Sequence, residues 1–174
     1  MDYMTKPISR KELRNLATLF RIIFKSELNG SFNVLNALET LPDVFPGSNY
    51  LVVEDNDLPA NIPARCSPDE NGNFIVEIKN SVYQGAYKKK IGAYRGFICH
   101  EICHVFLYKI GFTPIFNRQF ESNEIPAYRS VEWQAKALCG EVMMPYKETV
   151  NLSTNEIIHK YGVSKGFAET RSRY

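Results

Sequence analysis

Two histidines four residues apart, with a glutamate directly after the first, form the stretch of this chain best suited to chemistry: His100-Glu101-Ile102-Cys103-His104. On a helix, residues four apart lie on one face, one turn above the other, so their imidazoles can converge on one ion. Glu101 follows His100 by about 100° around the helix and borders that face without sharing it. This suits a carboxylate that touches a water on the metal without ligating the metal itself. Neutral imidazole suits zinc, and a catalytic zinc site holds three protein ligands and a water whose pKa falls to about 7. The neighbouring carboxylate can take the water's proton and later pass it to a leaving amine. Ordinary His and Glu frequencies produce this pattern in a chain of this length well under about one time in a hundred, so it carries weight. The spacing therefore predicts His100 and His104 as ligands of one Zn2+ and Glu101 as the catalytic base. The bland alternative is a buried helix with two satisfied histidines. Cys99, Ile102, Cys103, Phe106 and Ile110 form an apolar stripe on the side turned away, which a helix packed on that side and facing a cleft with its histidines would satisfy.

Two histidines do not complete a catalytic zinc site. The downstream candidates are Glu121, Glu124, Glu132 and Glu141. Glu121 and Glu124 fall in an irregular segment, a poor platform for a precise ligand. Glu141 falls near the end of a predicted helix and Glu132 in that helix's first turn. Held on a rigid helix beside the histidines, Glu132 would complete a His2Glu set; its other reading is compensation of the helix dipole. Cys103 points into the apolar stripe, and His159, the third histidine, reads as an ordinary polar position.

The elements that must hold these groups can be read from periodicity and punctuation. Ser9 to Ser26 reads as a helix with a capping box at Ser9 and Glu12. Phe32 to Leu41 reads as a second helix closed by Pro42. Three strand-like runs follow: Tyr50 to Val53, Ile62 to Ser67, and Phe74 to Lys79, the last with clean alternation. Asn71-Gly72 predicts a hairpin between the last two. Helices are then expected over Tyr94 to Lys109, over Ser130 to Met144, and from about Ser164. The order predicts an α+β domain over residues 1–174: a small antiparallel sheet of about three strands packed with helices, with the histidine pair on a central helix. A peptide substrate would have to lie extended. The cheapest way to hold it is to add it to a sheet edge. Phe74 to Lys79 is the best strand and comes shortly before the histidine helix, so Phe74, Ile75, Val76, Glu77 and Ile78 are the expected substrate-binding edge.

Composition excludes several classes. The chain is 44% hydrophobic and rich in aromatics, which argues against disorder. A net charge of +2 is too small to argue for direct nucleic-acid binding, and Lys88-Lys89-Lys90 reads as a solvated turn. No apolar run approaches the roughly 18 residues of a membrane span, and the first residues carry no apolar leader. Four cysteines without a CxxC pair fit reduced thiols, so a cytoplasmic protein is expected.

Arg95-Gly96-Phe97-Ile98-Cys99-His100-Glu101-Ile102-Cys103-His104 is similar to the RFTLAHELGH pattern of the ImmA/IrrE-type metallopeptidases, a resemblance that runs over the second half of the chain. Val131-Glu132-Trp133-Gln134-Ala135 through Glu141-Val142-Met143-Met144-Pro145 is similar to their IEREANxFAAELLMP pattern, and Tyr161-Gly162-Val163-Ser164 with Arg171 resembles their short C-terminal helix. Gln134 and Lys136 stand where Glu and Asn are common. The resemblance implies a zincin-like (gluzincin) fold, zinc on His100, His104 and Glu132, and Glu101 as catalyst. It further implies a phage or mobile-element regulatory setting, in which such a peptidase cleaves a helix-turn-helix repressor or antitoxin-like partner. The alternative is a non-proteolytic toxin or protein-binding module that keeps the fold. Glu101 favours the hydrolase, since a pure binding module needs no base beside the metal.

Overall fold

The computed structural model describes residues 2–115 and 124–174. Glu121 lies outside the described residues. Helix α1 (Arg10–Ile23) starts at the expected box: Ser9 caps Glu12 N–H, and the Glu12 carboxylate accepts from Ser9 N–H at 2.8 Å. Its Leu13, Ala17 and Phe20 are buried. Helix α2 (Val34–Val44) does not stop at Pro42 but carries it inside its last turn. A proline there removes one N–H, yet Phe45 N–H still reaches Leu41 O at 2.9 Å, and Leu38 and Leu41 anchor the turn in the core.

Strands β1 (Asn49–Val53), β2 (Ala64–Pro68) and β3 (Phe74–Lys79) fall where the three runs predict. The β2–β3 hairpin is antiparallel, closed by Gly72 at φ +73° with the Asp69 carboxylate accepting from Asn71 and Asn73 N–H. The sheet order is β1-β3-β2, and β1 pairs with β3 in parallel, from Asn49↔Ile75 to Val53↔Lys79. Two expectations are thereby corrected. The sheet is mixed, not antiparallel. The chain reverses once from β1 to β2 and once in the hairpin, so β3, inserted between them, runs with β1. β3 is also the central strand, not an edge: its Phe74, Val76 and Ile78 are buried, and its backbone is paired on both sides. With β3 in the centre, β2 is left as an edge.

Helix α3 (Asn80–Lys88) follows directly, then α4 (Gly92–Lys109), the histidine helix. After a short 3-10 turn (Ala127–Arg129) come α5 (Val131–Met143), α6 (Tyr146–Thr149), α7 (Thr154–Tyr161) and α8 (Lys165–Arg173). The α+β class therefore holds. Helix α4 lies between the sheet and α5, with Ile98, Cys99, Ile102, Cys103, Val105 and Phe106 fully buried. At about 1.5–3 kcal/mol for each large apolar side chain, that face fixes the helix's rotation and so the direction of its histidines. Its start is fixed too: a Cβ on Gly92 would lie 2.5 Å from Gly162 O, and Arg95 donates to that same carbonyl. No described helix is long and apolar enough to cross a membrane.

Candidate metal centre

Core packing of α4 turns His100 and His104 toward a cleft of about 920 Å³ walled by α4, β2, the first turn of α5 and the N-terminal segment. The two rings meet edge to face, 4.6 Å between centroids, and their Nε2 atoms are 3.0 Å apart. Glu132 reaches them from α5: its Oε2 is 3.2 Å from His100 Nε2 and its Oε1 3.0 Å from His104 Nε2. These two imidazole contacts hold the Glu132 carboxyl far below the usual carboxylate range, against the opposing effect of burial. All three ligand atoms lie within 4.8 Å of one another, so the groups are positioned to hold a metal ion. Two imidazoles and one carboxylate, with open space in front, form a donor set that fits a catalytic zinc.

Glu101 lines the same cleft beside the triad. Burial pushes its carboxyl up, opposed by His100 and by the Cys66 thiol, which lies 3.6 Å from the Glu101 carbonyl oxygen. A carboxyl raised in this way is a better proton acceptor than an ordinary one.

The platform under Glu132 is built from distant sequence. Ser130 caps α5 through the Trp133 N–H at 2.9 Å and donates to the Asp2 carboxylate, whose other oxygen accepts from Glu132 N–H at 3.1 Å. Val131 N–H donates to Tyr3 O at 3.0 Å and Thr5 N–H to Arg129 O at 2.8 Å. Gln134 sends its amide to Lys6 O and Tyr128 O at 2.8 and 2.9 Å, so it ties this segment down rather than touching the triad. Asp2, Tyr3 and Cys66 are the site residues that sequence reading missed. Nothing in the local pattern marks Asp2 or Tyr3, whereas Cys66 lies on the inward face of a predicted strand.

The other candidates fall elsewhere. Glu141 is buried and pairs with Arg171 at 2.7 Å, Arg10 at 3.3 Å and Arg14 at 3.5 Å. Glu124 and His159 are exposed and stand outside the triad. Of the expected substrate edge only Phe74 lines the cleft; Ile75, Val76, Glu77 and Ile78 do not. The strand bordering the cleft is β2. Lys79 N–H donates to Pro63 O, making that a hydrogen-bonded pair. By alternation Arg65 and Ser67 point their backbone groups at β3, and Ala64 and Cys66 point theirs outward.

No family model matches the chain, and no curated protein matches it. Among solved structures, a Mycobacterium tuberculosis transcriptional regulator has a similar fold, with a TM-score of 0.55 and 14% identity over 91% of this chain and 45% of that one. This chain thus spans less than half the length of that regulator, and at this identity the likeness concerns fold alone.

Proposed function

We propose that the chain is a zinc-dependent endopeptidase of the ImmA/IrrE type. The observation that carries this reading is the convergence of His100, His104 and Glu132 with Glu101 at their side in one open cleft. Bound by the triad, zinc would supply a Lewis acid and acidify a water to near neutrality. Glu101 takes the proton at its carboxylate and returns it to the departing amine nitrogen. Burial of Glu101 supports that task, because it brings the carboxyl closer to the working pH. The outward N–H and C=O groups of Ala64 and Cys66 hold the substrate backbone as an added strand. The substrate is a flexible segment of a helix-turn-helix repressor or antitoxin-like protein encoded beside the peptidase. The fold neighbour's description as a transcriptional regulator accords with such a setting.

The test is metal analysis of the purified chain together with co-incubation with the adjacent helix-turn-helix protein. About one zinc per chain and a discrete cleavage that stops in Glu101→Gln are expected. Zinc with intact partner and stable complex formation would instead make the chain a binding module.

A further inference from the structure

Helix α4 carries a second set of metal-binding side chains, about a quarter turn around from the histidines. Cys99 and Cys103 stand one turn apart there, and Cys139 meets them from α5. Their sulfurs lie within 4.8 Å of one another, and all three residues are buried, at 0, 0 and 2% exposure. All are free thiols, and the Met143 sulfur is 3.9 Å from Cys139 Sγ. An ion at the centre of such a triangle sits about 2.8 Å or less from each sulfur. A contraction of a few tenths of an ångström brings it to the ordinary metal–thiolate distance of about 2.3 Å.

The charge around the thiols fits an anionic complex. Arg21 is 2% exposed, and its guanidinium donates only to carbonyl oxygens, those of Glu27, Gly30 and Val142. Its positive charge is within electrostatic reach of the Glu148 carboxylate and, next, of Cys99. A buried charge calls for an opposite one close by. The donor set selects the ion: sulfur alone, in a dry site, takes soft metals, while a closed zinc site wants four strong ligands.

We propose that Cys99, Cys103 and Cys139 form a second metal site, for a soft monovalent ion of the copper(I) class. Two thiols lose their protons to the buffer and bind as thiolates, and the third binds as a neutral thiol. The complex then carries one negative charge, which falls within electrostatic reach of the Arg21 guanidinium. Because the site is closed, the ion enters only when the α4–α5 contact opens, and uptake is slow.

The experiment is an anaerobic titration of the full, zinc-loaded chain with copper(I) delivered from a competing chelator. About one copper per chain is expected, with an ultraviolet thiolate-to-copper charge-transfer band. X-ray absorption should give three sulfur neighbours at about 2.3 Å. Cys139→Ala should keep its zinc and lose the band. No uptake, or an unchanged band in Cys139→Ala, overturns the proposal. If that variant does not fold, X-ray absorption of the unmodified chain decides alone. Fewer than three sulfurs, or nitrogen neighbours from the histidine pair, overturn it. Because zinc is measured separately, failure here leaves the peptidase reading untouched.

Discussion

At the residue scale, the candidate site divides into groups that would hold an ion and one that would move a proton. Removing an imidazole leaves two donors, too few for tight zinc, so His104→Ala should retain little of the single equivalent expected in the unmodified chain, by elemental analysis. Full retention would dismiss the ligand assignment. Glu101→Gln keeps size and shape but cannot accept the proton. Zinc content should stay unchanged while the cleavage rate falls by roughly 10²–10⁴-fold, and undiminished turnover would remove Glu101 from the mechanism. The His-Glu-His spacing was legible because a helix turns a four-residue repeat into a shared face, and Glu132 because a first-turn position on a rigid helix is a fixed platform. Asp2 was not legible. Its contact with Glu132 spans 130 residues, and no local periodicity encodes a partner so far away.

At the element scale, β2 is the piece on which the proposed substrate docking would depend. Cys66→Pro deletes an outward N–H without breaking the hairpin ladder, whereas Cys66→Ala keeps it. Proline should slow cleavage by about tenfold, the value of one hydrogen bond, with zinc content intact, and alanine should not. Equal activity in both variants would take the substrate off this edge. The three strands and the hairpin turn could be read from alternation and Asn71-Gly72, but their lateral order could not. Period-two patterning says which face is buried, not which strand has two neighbours. Helix α7 was not among the expected helices although Ser153 and Glu156 have the spacing of the capping box that starts it; α3, starting directly where β3 ends, had no cap to announce it.

At the scale of the whole molecule, a buried carboxylate, Glu141, and a half-buried one, Glu148, join elements that lie far apart in sequence. Glu141 gathers Arg171 of α8 with Arg10 and Arg14 of α1. Glu141→Ala strands the buried Arg171, and chemical denaturation should register a loss of about 3–5 kcal/mol; a change under about 1 would show the cluster to be dispensable. Glu148 accepts from Gly30 N–H at 3.0 Å and from the Tyr161 hydroxyl at 2.9 Å, and pairs with Lys160. Burial raises its carboxyl, but these contacts outweigh burial and leave it below its ordinary value. A depressed folded pKa means that the stabilisation is complete above the unfolded value, near 4.5, and fades as pH falls through the folded one. The stability gap between the unmodified chain and Glu148→Gln should therefore be largest near neutrality and shrink below about pH 4.5. A gap constant with pH would contradict the assignment.

The clamp of the N-terminal segment on α5 also sets a clock. Asp2 is made 130 residues before the backbone N–H it must hold. At roughly 5–20 residues per second, the interval between them on the ribosome is on the order of ten seconds. Throughout that time Asp2 lacks its contact with the Glu132 N–H, and the histidine pair, once made, still lacks its carboxylate. Any metal binding by the complete triad must therefore wait for residue 132, and a product that stops short of it carries both histidines without Glu132.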